Sequence, residues 1–468
     1  MWRGAKRAWR VTVFAVMAGA VAAADKGDKV HLITLDPGHF HAALVQKFML
    51  PGVDPEVGVF APEGDDVAQH LKRIESFNSR AEKPTSWVER VYTGPDYLEK
   101  ALFSAMGGNS HPSAAGEAAR QRVIVISGNN ARKSEYITRA VEQGIHVLAD
   151  KPMVIRPGEL PALEAAFATA KKKGVLLYDI MTERFEITTI LQRELSRHAE
   201  LFGALDRGSP DKPSITKISV HNFSKMVAGA QLKRPQWFFD PEQQGDGIVD
   251  VTTHLVDLVQ WEAFPEQALK PSDAKVLSAR RWNTPLTLEQ FGRVTGATEF
   301  PAFLAPYVKD GVLQAPANGE FTYTLKDIHA RVSVTWDFEA PPGAGDTHFS
   351  VMRGTRATLT IRQGKEQGYK PVLYVYRHPL ISPAGHEKAL RTAISDIAKT
   401  YPGIDVRAEG DHFVVVVPDQ YHNGHEAHFT QVTENFLKYL REGKLPKWEV
   451  PNMLTKYATI MQAYEKSR

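Results

Sequence analysis

Short apolar runs separated by turn residues recur through the first third of the chain. Residues 29–35 (KVHLITL) form one such run, broken by Asp36-Pro37-Gly38. Residues 56–60 (EVGVF) and 123–126 (VIVI) form two more, ended by Ala61-Pro62-Glu63-Gly64 and Ser127-Gly128-Asn129-Asn130. Runs of this length, rich in β-branched residues, predict strands buried on both faces. Helical spacings lie between them. Phe40, Leu44, Val45 and Phe48 predict a helix over 40–49, and helices over about 133–143 and 160–173 each stop at a glycine, Gly144 and Gly174. Glycine accepts the left-handed conformation in which many helices end. Runs at 145–148 and 175–178 add two strands, and the alternation of strand and helix predicts a doubly wound parallel sheet.

The pattern changes after about residue 184. Segments 214–223, 275–282, 320–325, 329–338, 347–352, 357–361, 372–376 and 412–417 mostly alternate apolar and polar residues. Such alternation predicts antiparallel strands with one face covered and one open. Helices at about 249–262 and 427–441 would cover that face. A chain of 468 residues also exceeds what one core supports. The expected organisation is an α/β protein: a Rossmann-like, doubly wound domain over 25–183, then an α+β domain over 184–468 with a large, mainly antiparallel open sheet.

Composition changes the picture mainly at the N-terminus. Arg3, Lys6, Arg7 and Arg10 precede a short apolar run at 11–23, and Ala22-Ala23-Ala24 offers small residues before Asp25. This arrangement predicts a Sec-type signal peptide over 1–24 and a periplasmic or secreted mature protein. The run is too short to span a bilayer, so no integral membrane segment is expected after cleavage. Without those four cations, the Lys+Arg count of 57 drops just below the 54 acids. The net charge of +3 therefore gives no ground for a nucleic-acid partner. The sequence contains no cysteine, which excludes disulfides, thiolate metal sites and a thiol nucleophile.

The first strand–helix turn, Asp36-Pro37-Gly38-His39-Phe40-His41, holds one glycine where a dinucleotide fingerprint has three. His39 and His41 are candidates to meet phosphate oxygens in place of the missing amides. Their i, i+2 spacing is expected to point them to different sides, so no metal pair is expected there. Asp36 would repel a pyrophosphate if it pointed inward. Glu63, after the second strand, is placed to hold ribose hydroxyls. Further along, Asp250, His254 and Asp257 stand at i, i+4 and i+7 and would share one helix face. An acid beside a histidine is expected to raise its pKa and orient its ring. Lys225, Arg234 and Trp237 lie in a long loop before Gly245 and are candidates for substrate contact. His422, His425 and His428 form a dense imidazole cluster without a recognised zinc spacing. No metal site is expected there either, and His425 is assigned to the substrate cleft.

The segment 123–155, VIVISGNNARKSEYITRAVEQGIHVLADKPMVI, resembles the glucose–fructose oxidoreductase / inositol dehydrogenase family. That family's pattern is a strand, a polar turn with Asn, a helix, then A-x-x-x-G-x-H-V-x-x-E-K-P. Ala140, Gly144, His146, Val147, Lys151 and Pro152 match in order, with Asp150 in place of the usual Glu. The resemblance extends to Asp250, His254 and Asp257 in a D-x-x-x-H-x-x-D helix, and to the crossover around Thr182-Glu183-Arg184-Phe185. It covers about 120–265 closely and the rest loosely, with an extended C-terminal domain like that of a secreted subgroup. It implies a tightly bound NAD or NADP, held by Gly38, His39, His41, Glu63, Ser127, Asn129, Asn130, Asp150 and Pro152. It also implies Lys151 and His254 as the groups acting on a sugar hydroxyl, Asp250 beside them, Asp257 toward substrate, and a homo-oligomer formed through the C-terminal sheet. Removal of a hydride from a carbinol carbon requires a cation at the oxygen and a base for its proton. Two other readings fit the same residues: glycoside cleavage through transient oxidation, and a sugar-binding protein that has lost its cofactor.

Overall fold

The computed structural model describes residues 29–107, 121–227 and 230–468, and the expected signal peptide lies outside them. The N-terminal sheet has six parallel strands: β1 (His31–Leu35), β2 (Glu56–Ala61), β3 (Val88–Thr93), β4 (Arg122–Ile126), β5 (His146–Asp150) and β6 (Leu177–Ile180). Their order is β3-β2-β1-β4-β5-β6. Ile33 lies between Gly58 and Ile124 in register, and Val123 to Ile126 and Val147 to Ala149 are almost completely buried. The strand order reverses between β1 and β4. In open sheets of this kind a ligand crevice forms at that switch point, beyond the carboxyl ends of the strands.

Helices Lys133–Glu142 and Leu160–Lys173 form as expected, the latter closed by Gly174 at φ 71°. The helix expected over 40–49 is reduced to His41–Leu44. The carbonyls that would continue it are taken by side chains. Trp87 Nε1 donates to Gln46 O at 2.7 Å, and Arg80 donates to Lys47 O. The Lys47 carbonyl would have needed the amide of residue 51, which is proline and has none. The strand expected over 175–178 begins two residues later, at Leu177.

The second sheet has ten strands. All its pairings are antiparallel except that of Ile215–Ser224 with Ile328–Glu339, which is parallel. Helix Thr252–Ala263 covers its inner face, as expected, whereas helix His425–Glu442, expected there too, packs mainly on β6, on His41–Leu44 and on Thr182–Phe185. Helix Glu449–Lys466, which was not expected from the sequence, packs on strand Ala274–Thr287 and on helices Thr252–Ala263 and Leu160–Lys173. It is also fastened by charge. Lys456 Nζ sits 2.6 Å from Asp179 on β6 and 2.9 Å from Asp257. Arg184 grips Asp257 at 2.6 Å and Glu449 at 2.9 Å. These side chains are buried, and stranding one partner of such a set typically costs about 3–5 kcal/mol.

Candidate active site at the carboxyl end of β5

Lys151 follows the last residue of β5, and the Lys151–Pro152 peptide bond is cis. The Lys151 ammonium lies 2.7 Å from Asp250 Oδ1, with both side chains more than nine-tenths buried. Asp250 sits in the turn just before helix Thr252–Ala263, so the expected stripe of three residues on one helix begins a step too early. Two glycines deliver this turn. A side chain on Gly247 would strike the Asn318 backbone at 2.1 Å, and one on Gly319 would strike the Gly247 carbonyl at 2.6 Å. The Gly-rich turn therefore lies directly on strand Val312–Leu325. Burial alone would raise the Asp250 carboxyl, but the Lys151 charge and hydrogen bond, with one from Gln244, hold it below its ordinary value. His254, one helical turn further on, is buried with no partner for Nδ1. Burial first, and the Lys151 charge second, lower its pKa to about 3. This reverses the expectation of a raised histidine, because the nearby carboxylate spends itself on Lys151. The resulting set is an ammonium, a carboxylate and a neutral imidazole.

Three residues expected to face substrate do structural work instead. Asp257 is consumed by Arg184 and Lys456, which hold its pKa well below the usual carboxylate range against the effect of burial. Arg234 is buried, donates to the carbonyls of Phe223 and Asn222, and lies over the Phe238 ring at 4.5 Å. Trp237 is buried against the first turn, with Nε1 donating to Asp66 at 2.7 Å. Lys225 is half-buried and pairs with Asp346, which also binds His221. His425 stands at the mouth of the cleft, 45 % exposed, 3.4 Å from Glu183. His422 is exposed and His428 buried, with the His425 and His428 rings 6.3 Å apart.

The first turn differs most from expectation. Asp36 is turned away from the crevice and accepts from Tyr136 at 2.8 Å. Gly38 is needed for close approach, because a Cβ there would lie 2.8 Å from the Asp66 carboxylate and 2.9 Å from the Trp237 ring. Gly128 brings the loop after β4 against the same turn, its absent Cβ falling on the Asp36 carbonyl. His39 and His41 do not diverge: their rings lie 4.0 Å apart and both face Asp150. His41 Nδ1 is 2.9 Å from Asp150 Oδ2, which also accepts from Ser127 Oγ at 2.9 Å. Burial lowers the His41 pKa to about 4 and holds that of His39 well below its ordinary value, while Asp150, despite burial, is held well below its ordinary value by His41 and Lys133. Asn129 caps its own turn through Ala131 N and binds Gln243, and Asn130 donates to the Gln244 carbonyl. Both asparagines tie the β4 loop to the Asp250 loop, which leaves their side chains turned from the crevice.

A dinucleotide fits the two ends of this crevice. Lys151, Asp250 and His254 lie together at one end, and Glu63 stands exposed at the other, after β2, where an acid can meet ribose hydroxyls. Between these ends, imidazoles and an indole replace the usual glycines. Sequence reasoning missed four contributors. Glu183, half-buried beside His425, has its carboxyl held well below the ordinary range, against burial, by His425 and other nearby histidines. Gln244 supports Asp250. Lys133 is fully buried and donates to the Asp150 carbonyl at 2.8 Å, and Tyr136 holds Asp36. Two left a trace in the sequence: Lys133, as a lysine on the first turn of a helix whose other inward positions are apolar, and Glu183, inside the crossover segment 182–185.

Residues 191–468 match the family model described as "Putative oxidoreductase C terminal domain". A crystal structure of a "putative oxidoreductase" from Parabacteroides merdae ATCC 43184 is 51 % identical, with a TM-score of 0.88, covering 94 % of this chain and 98 % of that one. GenD2 from gentamicin A biosynthesis, solved with NAD, is 13 % identical at a TM-score of 0.55, covering 96 % and 97 %. Levoglucosan dehydrogenase, solved with NADH and levoglucosan, is 12 % identical at 0.55, covering 94 % and 98 %. These last two share the fold. Comparison with curated proteins gives no match. The match over more than half of the chain, together with the near-complete overlap at 51 % identity, places this chain in the family of putative oxidoreductases that carry this C-terminal domain.

Proposed function

We propose that the chain oxidises a ring or chain hydroxyl of a sugar or glycoside, with a tightly bound nicotinamide dinucleotide accepting the hydride from the carbinol carbon. The observation that carries this reading is the buried Lys151–Asp250 pair at 2.7 Å beside a neutral His254. Lys151 would bind the substrate oxygen and stabilise negative charge as it develops. His254 Nδ1, buried and unpartnered, would take the hydroxyl proton. Asp250 would keep the ammonium aimed at the oxygen. Fold relatives solved with NAD and with NADH plus levoglucosan support the cofactor and substrate class. Glu63 favours NAD, because a carboxylate at that place repels a 2′-phosphate.

Export through the segment 1–24 and assembly through the open sheet belong to the same proposal. N-terminal sequencing of the mature protein should begin near Asp25, and its mass in solution should exceed that of one chain. The decisive experiment is to denature purified protein and assay released dinucleotide by absorbance and mass spectrometry. A near-stoichiometric yield is expected. Lys151→Ala should keep the dinucleotide but lose its reduction by glycosides by a factor of about 10²–10⁴. Product analysis then separates a keto sugar from a cleaved glycoside. Protein that is empty and unresponsive to added NAD and NADP would sink the proposal and leave sugar binding alone.

A further inference from the structure

Outside the Lys151–Asp250 pair, the densest gathering of ligand-type side chains among the described residues is His39, His41 and Asp150, whose donor atoms all lie within 4.8 Å of one another. His39 Nδ1 lies 3.8 Å from Asp150 Oδ2 and accepts the His41 backbone amide through a long contact of 3.3 Å, which a turn of the ring would release. His41 Nδ1 meets the same carboxylate oxygen at 2.9 Å. A tetrahedral zinc site with bonds of about 2.0–2.1 Å places its ligands roughly 3.3 Å apart, so small ring rotations would complete the geometry.

We propose that His39, His41 and Asp150 bind a divalent transition-metal ion of the zinc or iron class, through two imidazoles and one carboxylate. The ligand set belongs to sites that retain open coordination positions. The supports for such a site are in place. Ser127 Oγ donates to Asp150 Oδ2 at 2.9 Å, Lys151 N donates to Oδ1 at 2.9 Å, and Lys133 Nζ fixes the Asp150 carbonyl at 2.8 Å. Hydrogen bonds of this kind orient metal ligands and tune their affinity. The ion would sit on the first βα turn, adjoining Lys151, where the sequence lacks a glycine cradle. The site stands on these residues alone and does not depend on the redox reading.

The test uses tag-free, full-length mature protein. Metal content is measured by inductively coupled plasma mass spectrometry after dialysis, and Zn²⁺ is titrated into chelator-treated protein. One equivalent per chain and an X-ray absorption spectrum with two imidazoles in the coordination shell are expected. His41→Ala should weaken Zn²⁺ binding by more than about 100-fold, and Ser127→Ala, which leaves every ligand in place, by about 10–100-fold. His422→Ala, which changes an exposed histidine, should leave binding unchanged. Wild-type protein that carries no metal and binds Zn²⁺ no more tightly than the Ser127→Ala and His41→Ala variants would overturn the site. So would loss of binding on His422→Ala. Dinucleotide release is assayed on the same samples, so failure of the metal site and failure of the redox proposal are read separately.

Discussion

At the scale of single residues, burial decides which charges are available for chemistry and which only hold the fold. Glu89 on β3 shows the cost of burying a carboxylate without a full set of partners. One oxygen accepts from Gln46 at 2.7 Å, the other has no partner, and burial pushes the carboxyl up to about 7. A folded-state pKa above the unfolded value means that the contribution to stability is whole below about pH 4.5 and is lost as pH rises through 7. Glu89→Gln should therefore leave stability unchanged near pH 4.5 and raise it by about 1–3 kcal/mol at pH 8; urea melts at the two pH values check this. The same physics explains which site residues were legible in the sequence. Lys151, Asp250 and His254 stood out because they fall on the motifs of the family that the sequence resembles, the last two also at helical spacing. Asp257, Arg234 and Trp237 have the right residue types, but their partners Lys456, Phe223 O and Asp66 are remote in the chain or are backbone atoms. No local pattern reveals such pairings.

At the scale of elements, the reading of periodicity succeeded where a segment packs through its own repeat. It failed where distant groups intervene. Five of the six parallel strands and the helix closed by Gly174 follow from runs and caps, whereas β3, an edge strand with mostly exposed side chains, carries no apolar run and was not expected. The shortened helix at His41–Leu44 depends on Trp87 and Arg80, and no local pattern reports them. Helix Glu449–Lys466 escaped notice because nearly all of its inward residues are buried on several sides, which blurs a one-sided stripe. The Gly247–Gly319 contact belongs to this scale as well. It sets a turn on a strand with no room for a methyl group, and thereby places Asp250 against Lys151. Gly247→Ala should cost at least about 3 kcal/mol and separate that ion pair. Thermal denaturation and the loss of glycoside oxidation in the surviving folded fraction would be measured together.

At the scale of the whole molecule, histidines held neutral by burial lie on two helices of the N-terminal half, on a strand of the second sheet and on two later helices. Burial lowers His70 and His254 to about 3, and His41, His348 and His428 to about 4. Each folded value lies below the unfolded one, so stability is complete above about pH 6.5 and is lost as pH falls toward 4. The slope is at most about 1.4 kcal/mol per pH unit for each such histidine. Acid unfolding followed by far-UV circular dichroism should therefore begin below pH 6.5, well before most carboxylates protonate. The clasp at Lys456 has a consequence for how the chain is made. Asp179 lies on β6, yet its counter-charge comes 277 residues later, on helix Glu449–Lys466. Until that helix is made, β6 can pair with β5 but lacks the Lys456 ammonium beside Asp179. The N-terminal half is thus completed by a segment synthesised long after it, and a fragment cut after β6 should be less stable than the same residues in the whole chain.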